Sequence, residues 1–150
     1  MHLIYRFMPI VLIVASCNTN NKTSSPITGT WQLQTGTLIE KNDTTVTDYT
    51  QNKRFIKIIN DSHFAFMGHD LSKGKDSANA FFSAGGGKYT FKDSTYTEFL
   101  EYCNARDWEN NKFEFTVRIH NDTLIQQGVE KIEATGVNRF NIERYVRVKE

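Results

Sequence analysis

The sequence is short of the residues on which several protein classes depend. Proline occurs twice and cysteine twice in 150 residues. Two cysteines cannot staple a disulfide scaffold. Neither charge dominates: 18 Lys+Arg stand against 17 Asp+Glu, for a net charge of +1. A charge-driven nucleic-acid partner is therefore not expected. No apolar run is long enough for a membrane helix. The longest, Phe7–Ala15, is interrupted by Pro9. At ~1.5 Å per residue it stops well short of the ~30 Å hydrocarbon core. Beyond Thr28 no apolar period of 3.6 residues is sustained over a helical length. What is present is a hydrophobic share of 39% and an aromatic share of 13%, with 11 Phe and 6 Tyr. That supports a core, excludes wholesale disorder and favours β structure. The length holds one domain with a short appendage.

The start of the chain reads as an address. His2 and Arg6 precede the short apolar run, as in a signal peptide. The run ends Val14-Ala15-Ser16-Cys17, which resembles the lipobox of bacterial lipoproteins. That resemblance implies cleavage before Cys17 and acyl chains on its sulfur. At ~0.8 kcal/mol per buried CH₂, two or three chains hold a protein stably at a bilayer. Residues 1–16 are thus expected to be a signal peptide, with 17–26 a lipidated cysteine and polar tether, and 27–150 the folded domain. The expected location is the bacterial cell envelope, anchored to the outer membrane through Cys17. Cys103 is then left without a disulfide partner and reads as a packing residue.

Period-two alternation dominates the remainder. Strands are expected at 29–38, 44–49, 54–60, 62–69, 80–84, 88–92, 95–103, 112–120, 123–127 and 139–149. Regular short strands with short links point to an all-β fold, an antiparallel up-and-down barrel of eight to ten strands. Asn60-Asp61, Asp93-Ser94 and Asn121-Asp122 read as two-residue hairpin turns. Those turns set the pairing. Ile58 falls opposite His63 and Ile56 opposite Ala65, with Lys57 and Phe64 outward. Phe91 pairs with Tyr96 and Tyr89 with Glu98, with Leu100 and Tyr102 continuing that face. Ile119 pairs with Leu124 and Val117 with Gln126, with Phe113 and Phe115 continuing inward. The expected interior is apolar and aromatic, with His63, Glu98, Gln126 and the hydroxyls of Tyr89, Tyr96 and Tyr102. A one-residue error in a turn exchanges inside for outside.

Gly29-Thr30-Trp31 on the first strand resembles the Gly-x-Trp opening of lipocalins and other calycins. Arg147 near the end could pack across Trp31, since a guanidinium over an indole gains about 0.5–2 kcal/mol. Lys57-Ile58-Ile59, His63-Phe64, Gly85 to Thr90 and Tyr96 to Tyr102 resemble a group of lipocalin-like bacterial lipoproteins with no agreed ligand or reaction. The resemblance runs over most of 28–150. It implies a lipocalin-like barrel with an internal cavity, and structural roles for Trp31 and Arg147. It does not extend to an evident C-terminal helix.

Other chemistry finds little support. Gly85-Gly86-Gly87-Lys88 lacks the P-loop spacing and is followed by a strand, so it reads as a bend or bulge. His63 and His69 lie ~20 Å apart along one strand and cannot share a metal. No metal, cofactor or nucleophile motif is expected. His63 with Glu98 could orient a polar ligand head or form a buried structural pair, and, as a weaker alternative, serve a barrel isomerase or cyclase. The Phe residues could line a pocket or fill a closed core. The leading expectation is a small, mostly apolar ligand held by His63, Tyr89, Tyr96, Glu98, Tyr102, Phe113, Phe115 and Gln126. The rival is an interaction module with a filled core, working through its outer face or through loops such as that carrying Trp108.

Overall fold

A computed structural model describes residues 24–149. The expected signal peptide, Cys17 and the first part of the tether lie outside the described residues. The strands are β1 (Gly29–Glu40), β2 (Asp43–Asp48), β3 (Lys53–Ile59), β4 (His63–Asp70), β5 (Phe82–Lys92), β6 (Thr95–Cys103), β7 (Asn111–His120), β8 (Thr123–Ile132) and β9 (Val137–Arg147). Single 3₁₀ turns at Arg106–Trp108 and Glu133–Thr135 interrupt two loops.

Each strand from β3 onward pairs antiparallel with the next. β9 then returns to β1, from Trp31 opposite Arg147 to Ile39 opposite Phe140. The other edge of β1 is divided end to end: β3 pairs with Gly29–Gln32 and β2 with Thr35–Glu40. β2 and β3 therefore share one position around the wall. The result is a closed, eight-stranded antiparallel barrel, consistent with a calycin-like fold. Its core and the β1–β9 pairing that closes it lie within the described residues.

The two ends differ. At one end the links are tight, and Ile27, Ile59, Phe64, Tyr96, Val117, Leu124 and Tyr145 pack into a solid floor. Trp31 is fully buried there, and its Nε1 donates to the Ile27 carbonyl at 2.7 Å. The Arg147 guanidinium lies 4.0 Å from the Trp31 ring centroid. Its Nη1 and Nη2 donate to the carbonyls of Thr28 and Pro26. The expected Arg147–Trp31 stack thus seals the end where the chain enters the barrel. The opposite end carries the loops after β4, β6 and β8.

The hairpin turns separate by how their polar residue is used. Asp93 and Asn121 take positive φ at the first corner, and the expected pairings Tyr89–Glu98 and Val117–Gln126 form. Asn60 instead acts through its side chain: Oδ1 accepts from the backbone N–H of Ser62 and His63. The corners are therefore Asp61-Ser62, not Asn60-Asp61, and Ile59 pairs with Phe64. The shift keeps the same residues together on each face, Ile56, Ile58, His63 and Ala65 on one and Lys57, Ile59, Phe64 and Phe66 on the other, and it is the second face, not the first, that the barrel turns inward. His63 is exposed, while Lys57, Phe64 and, in part, Phe66 are buried.

A second correction lies in β5 and β6. The expected strands at 80–84 and 88–92 are one strand running through the three glycines. A bulge sits opposite them, because Gly87 pairs with Leu100 and Gly86 with Tyr102. The extra residue, Glu101, turns Tyr102 outward, where it is 69% exposed, and leaves Cys103 packed against the core. A β-carbon on Gly87 would be driven into the Phe99 carbonyl oxygen. Gly87→Ala should therefore lower stability by about 1–3 kcal/mol, as overpacking typically does. Urea unfolding measures it, and an unchanged midpoint would remove the close approach as the reason for glycine.

Candidate functional site

Above the solid floor the barrel is hollow. A cavity of about 240 Å³ opens towards the loop-bearing end. Its wall is aromatic: Tyr49, Phe55, Phe66 and Phe81 on one side, and Trp108, Phe113 and Phe115 on another. Phe55 stacks on Phe66 with centroids 5.7 Å apart, and Tyr49 meets Phe55 and Phe81 edge-on. Trp108 folds back against Phe113 rather than projecting as a free contact residue.

The bottom of the cavity is polar. Lys57 on β3 donates from Nζ to Glu98 Oε1 at 2.7 Å and to Gln126 Oε1 at 3.0 Å. Glu143 on β9 lies 3.9 Å from the same ammonium and accepts from the Tyr145 hydroxyl at 2.8 Å. The rings of Tyr145, Tyr96 and Phe64 surround Nζ at 5.5–5.8 Å. Nearer the mouth, Glu130 accepts from Arg139 Nε at 2.6 Å and from Asn141 Nδ2 at 2.8 Å. The Arg139 guanidinium lies over Trp108.

Burial alone would push Lys57 down, but the carboxylates of Glu98 and Glu143 overcome it and hold the ammonium above its usual range. Burial raises Glu98, and Lys57 offsets this only in part while Glu143 adds to it. The two directions are compatible because Lys57 serves two acids, whereas Glu98 has one cation and an acidic neighbour. The stability linked to Glu98 is full below its ordinary value of 4.5 and is lost as pH rises through its raised value. Burial also raises Tyr145 and Tyr96, so both hydroxyls stay protonated at neutral pH. A lysine held as ammonium is a poor nucleophile, which argues against amine catalysis here.

The loop after β4 is pinned at the mouth by Asp70. Its carboxylate accepts from Ser72 Oγ at 2.6 Å and from the N–H groups of Gly74 and Phe81. These bonds hold its pKa well below the carboxylate range. They also place Phe81 on the cavity wall.

Of the residues expected at the site, Glu98, Gln126, Phe113 and Phe115 line the cavity. Tyr96 lies buried in the floor beneath it. Tyr89 is half-buried against Tyr96, and its hydroxyl donates to the Asn60 carbonyl. His63 and Tyr102 lie on the outer face, and His63 meets the Ser62 hydroxyl instead of Glu98. The expected His63–Glu98 pair does not form, and Lys57 takes its place. Lys57, Glu143, Arg139 and Asp70 escaped the sequence reading. One signal was present for two of them: placing Arg147 across Trp31 fixes the parity of β9. Stepping back by twos from Arg147 then turns Tyr145, Glu143, Asn141 and Arg139 inward. No protein-family model matches the chain, and no curated protein does.

Removing one partner of a buried ion pair strands the other. Lys57→Met should cost about 3–5 kcal/mol, because Glu98 would keep its burial and lose its cation. Lys57→Met/Glu98→Leu should be more stable than Lys57→Met alone. Urea unfolding of the two variants checks this, and a double variant weaker than the single would contradict the assigned pairing.

Proposed function

We propose that the protein is a lipid-anchored, lipocalin-like binding protein of the bacterial envelope, taking a small and mostly apolar molecule into the barrel. The observation that carries this reading is the hollow upper half: an aromatic wall over a buried, hydrogen-bonded polar floor. Apolar pockets with a few convergent polar groups are the usual form of small-molecule sites. The volume of about 240 Å³ lies just under the ~300 Å³ lower end of such sites. It suits a compact ligand better than a long acyl chain. The polar floor is held in place by bonds within the protein, so it can orient a ligand without first being ordered.

The interaction-module reading retains one observation. On the outer face, Met67 lies opposite Ala84, and Phe82 and Tyr102 are 68% and 69% exposed. An apolar outer patch of that kind suits a protein partner.

Native mass spectrometry of residues 18–150, purified gently, separates the readings. Retention of a reproducible small mass that leaves on denaturation is expected for the binding protein. A clean mass that stays clean on challenge with compact aromatic and aliphatic compounds would favour the outer patch. The anchor has its own test. Expression of the full chain in a bacterium should give a membrane-bound product lacking residues 1–16 and carrying acyl mass on Cys17. Cys17→Ser should abolish both, and a membrane-bound, unacylated wild type would disprove the anchor.

A further inference from the structure

Acids outnumber bases among the groups that line the cavity. Glu98, Glu130 and Glu143 face it against Lys57 and Arg139. Both cations are already engaged: Lys57 by Glu98 and Gln126, and Arg139 by Glu130 with its guanidinium over Trp108. Glu143 is the acid with least compensation. Its Oε2 takes the Tyr145 hydroxyl, and its distance to Lys57 is the long one, 3.9 Å. Its side chain is 18% exposed, while those of Lys57 and Glu98 are 5% and 8% exposed.

The wall is aromatic, and two of its rings already hold a cation over their faces, Trp108 with Arg139 and Phe81 with Lys53. Aromatic faces carry the negative side of a quadrupole and attract cations. Tyr49, Phe55, Phe66, Phe81, Trp108 and Phe113 surround the space. A carboxylate ligand would meet three acids and find the two bases occupied. A neutral apolar ligand would leave the Glu143 charge without a new partner.

We infer that the cavity selects a small organic cation, an ammonium on a compact apolar or aromatic body, with Glu143 as its counter-ion and the aromatic wall around its body. This rests on the cavity being a ligand site. The ammonium would donate to the Glu143 carboxylate, displacing nothing from Lys57. The limited volume confines the body to about one ring or a short chain.

Calorimetric titration of residues 18–150 tests it with three probes of similar size: 2-phenylethylamine, 2-phenylethanol and 3-phenylpropionate. The amine should bind at least tenfold tighter than the other two. Glu143→Gln keeps an acceptor for Tyr145, and should weaken the amine at least fivefold while leaving the alcohol unchanged. The wild-type comparison stands on its own should that variant fold poorly. If the carboxylate binds as tightly as the amine, or if Glu143→Gln leaves the amine unaffected, the cation reading is overturned and the cavity reading survives. If none of the three binds and native mass spectrometry finds no retained mass, the cavity reading falls and the cation reading falls with it.

Discussion

The return of β9 to β1 is the constraint on which the rest depends. Closure removes sheet edges and divides every strand into an inward and an outward set of side chains. It also demands local adjustment. β1 carries an extra residue between Leu33 and Thr35, so that Leu33 pairs with Tyr145 and Gly36 with Glu143. The bulge at Glu101 does the same for β6. Once those adjustments are set, any polar residue of inward parity must find a partner inside. Lys57, Glu98, Gln126, Glu130, Asn141 and Glu143 meet that demand through one another.

Such a network is not the most stable way to fill a barrel. Desolvating a lysine and a glutamate costs several kcal/mol per ion, and well-packed apolar residues of similar volume often do as well or better. The floor below shows that this chain can pack apolar residues: Ile27, Ile59, Phe64, Val117 and Leu124 are all buried there. The contrast between the dense end and the charged, hollow end is therefore a local choice rather than a shortage of hydrophobic residues. Holding charged groups in fixed positions beside empty space is what a site needs if it is to discriminate ligands by polarity.

Much of the fold was legible because it rests on alternation and on turns. The strand meander and the inward Phe113, Phe115 and Gln126 follow from residue order, while the Trp31–Arg147 seal was expected from the lipocalin resemblance of Gly29-Thr30-Trp31. What was not legible turned on single residues. Asn60 has two ways to make a turn: as a left-handed corner, like Asn121, or as a side-chain acceptor ahead of the corner. The second shifts the pairing by two residues and leaves each face's residues together; what puts His63 out and Lys57 in is which of the two faces is turned inward once β3 pairs with β1 and β4 with β5. Lysine is so rarely buried unpaired that an inward reading needs its partners to be known first. Those partners, Glu98 and Glu143, are far away in sequence and meet it only after closure. Tyr102 was misplaced for a related reason, since a bulge leaves no period of its own in the sequence.

The orientation of the barrel ties its ends to the proposed anchor. The chain enters at the sealed end, where the Pro26 and Thr28 carbonyls are held by Arg147. The cavity opens at the other end, between the loop pinned by Asp70 and the turn bearing Trp108. An anchor on Cys17 would attach at the sealed side, with only a short polar tether between the bilayer and the barrel floor. The mouth would then face away from the membrane and exchange ligand with the aqueous phase. A protein that draws acyl chains directly from lipid would be better served by the reverse arrangement and by a larger, less charged interior. The sealed floor and the small acidic cavity, with the mouth that the proposed anchor would leave to the aqueous phase, favour the same kind of ligand: compact, water-borne, and polar at one end.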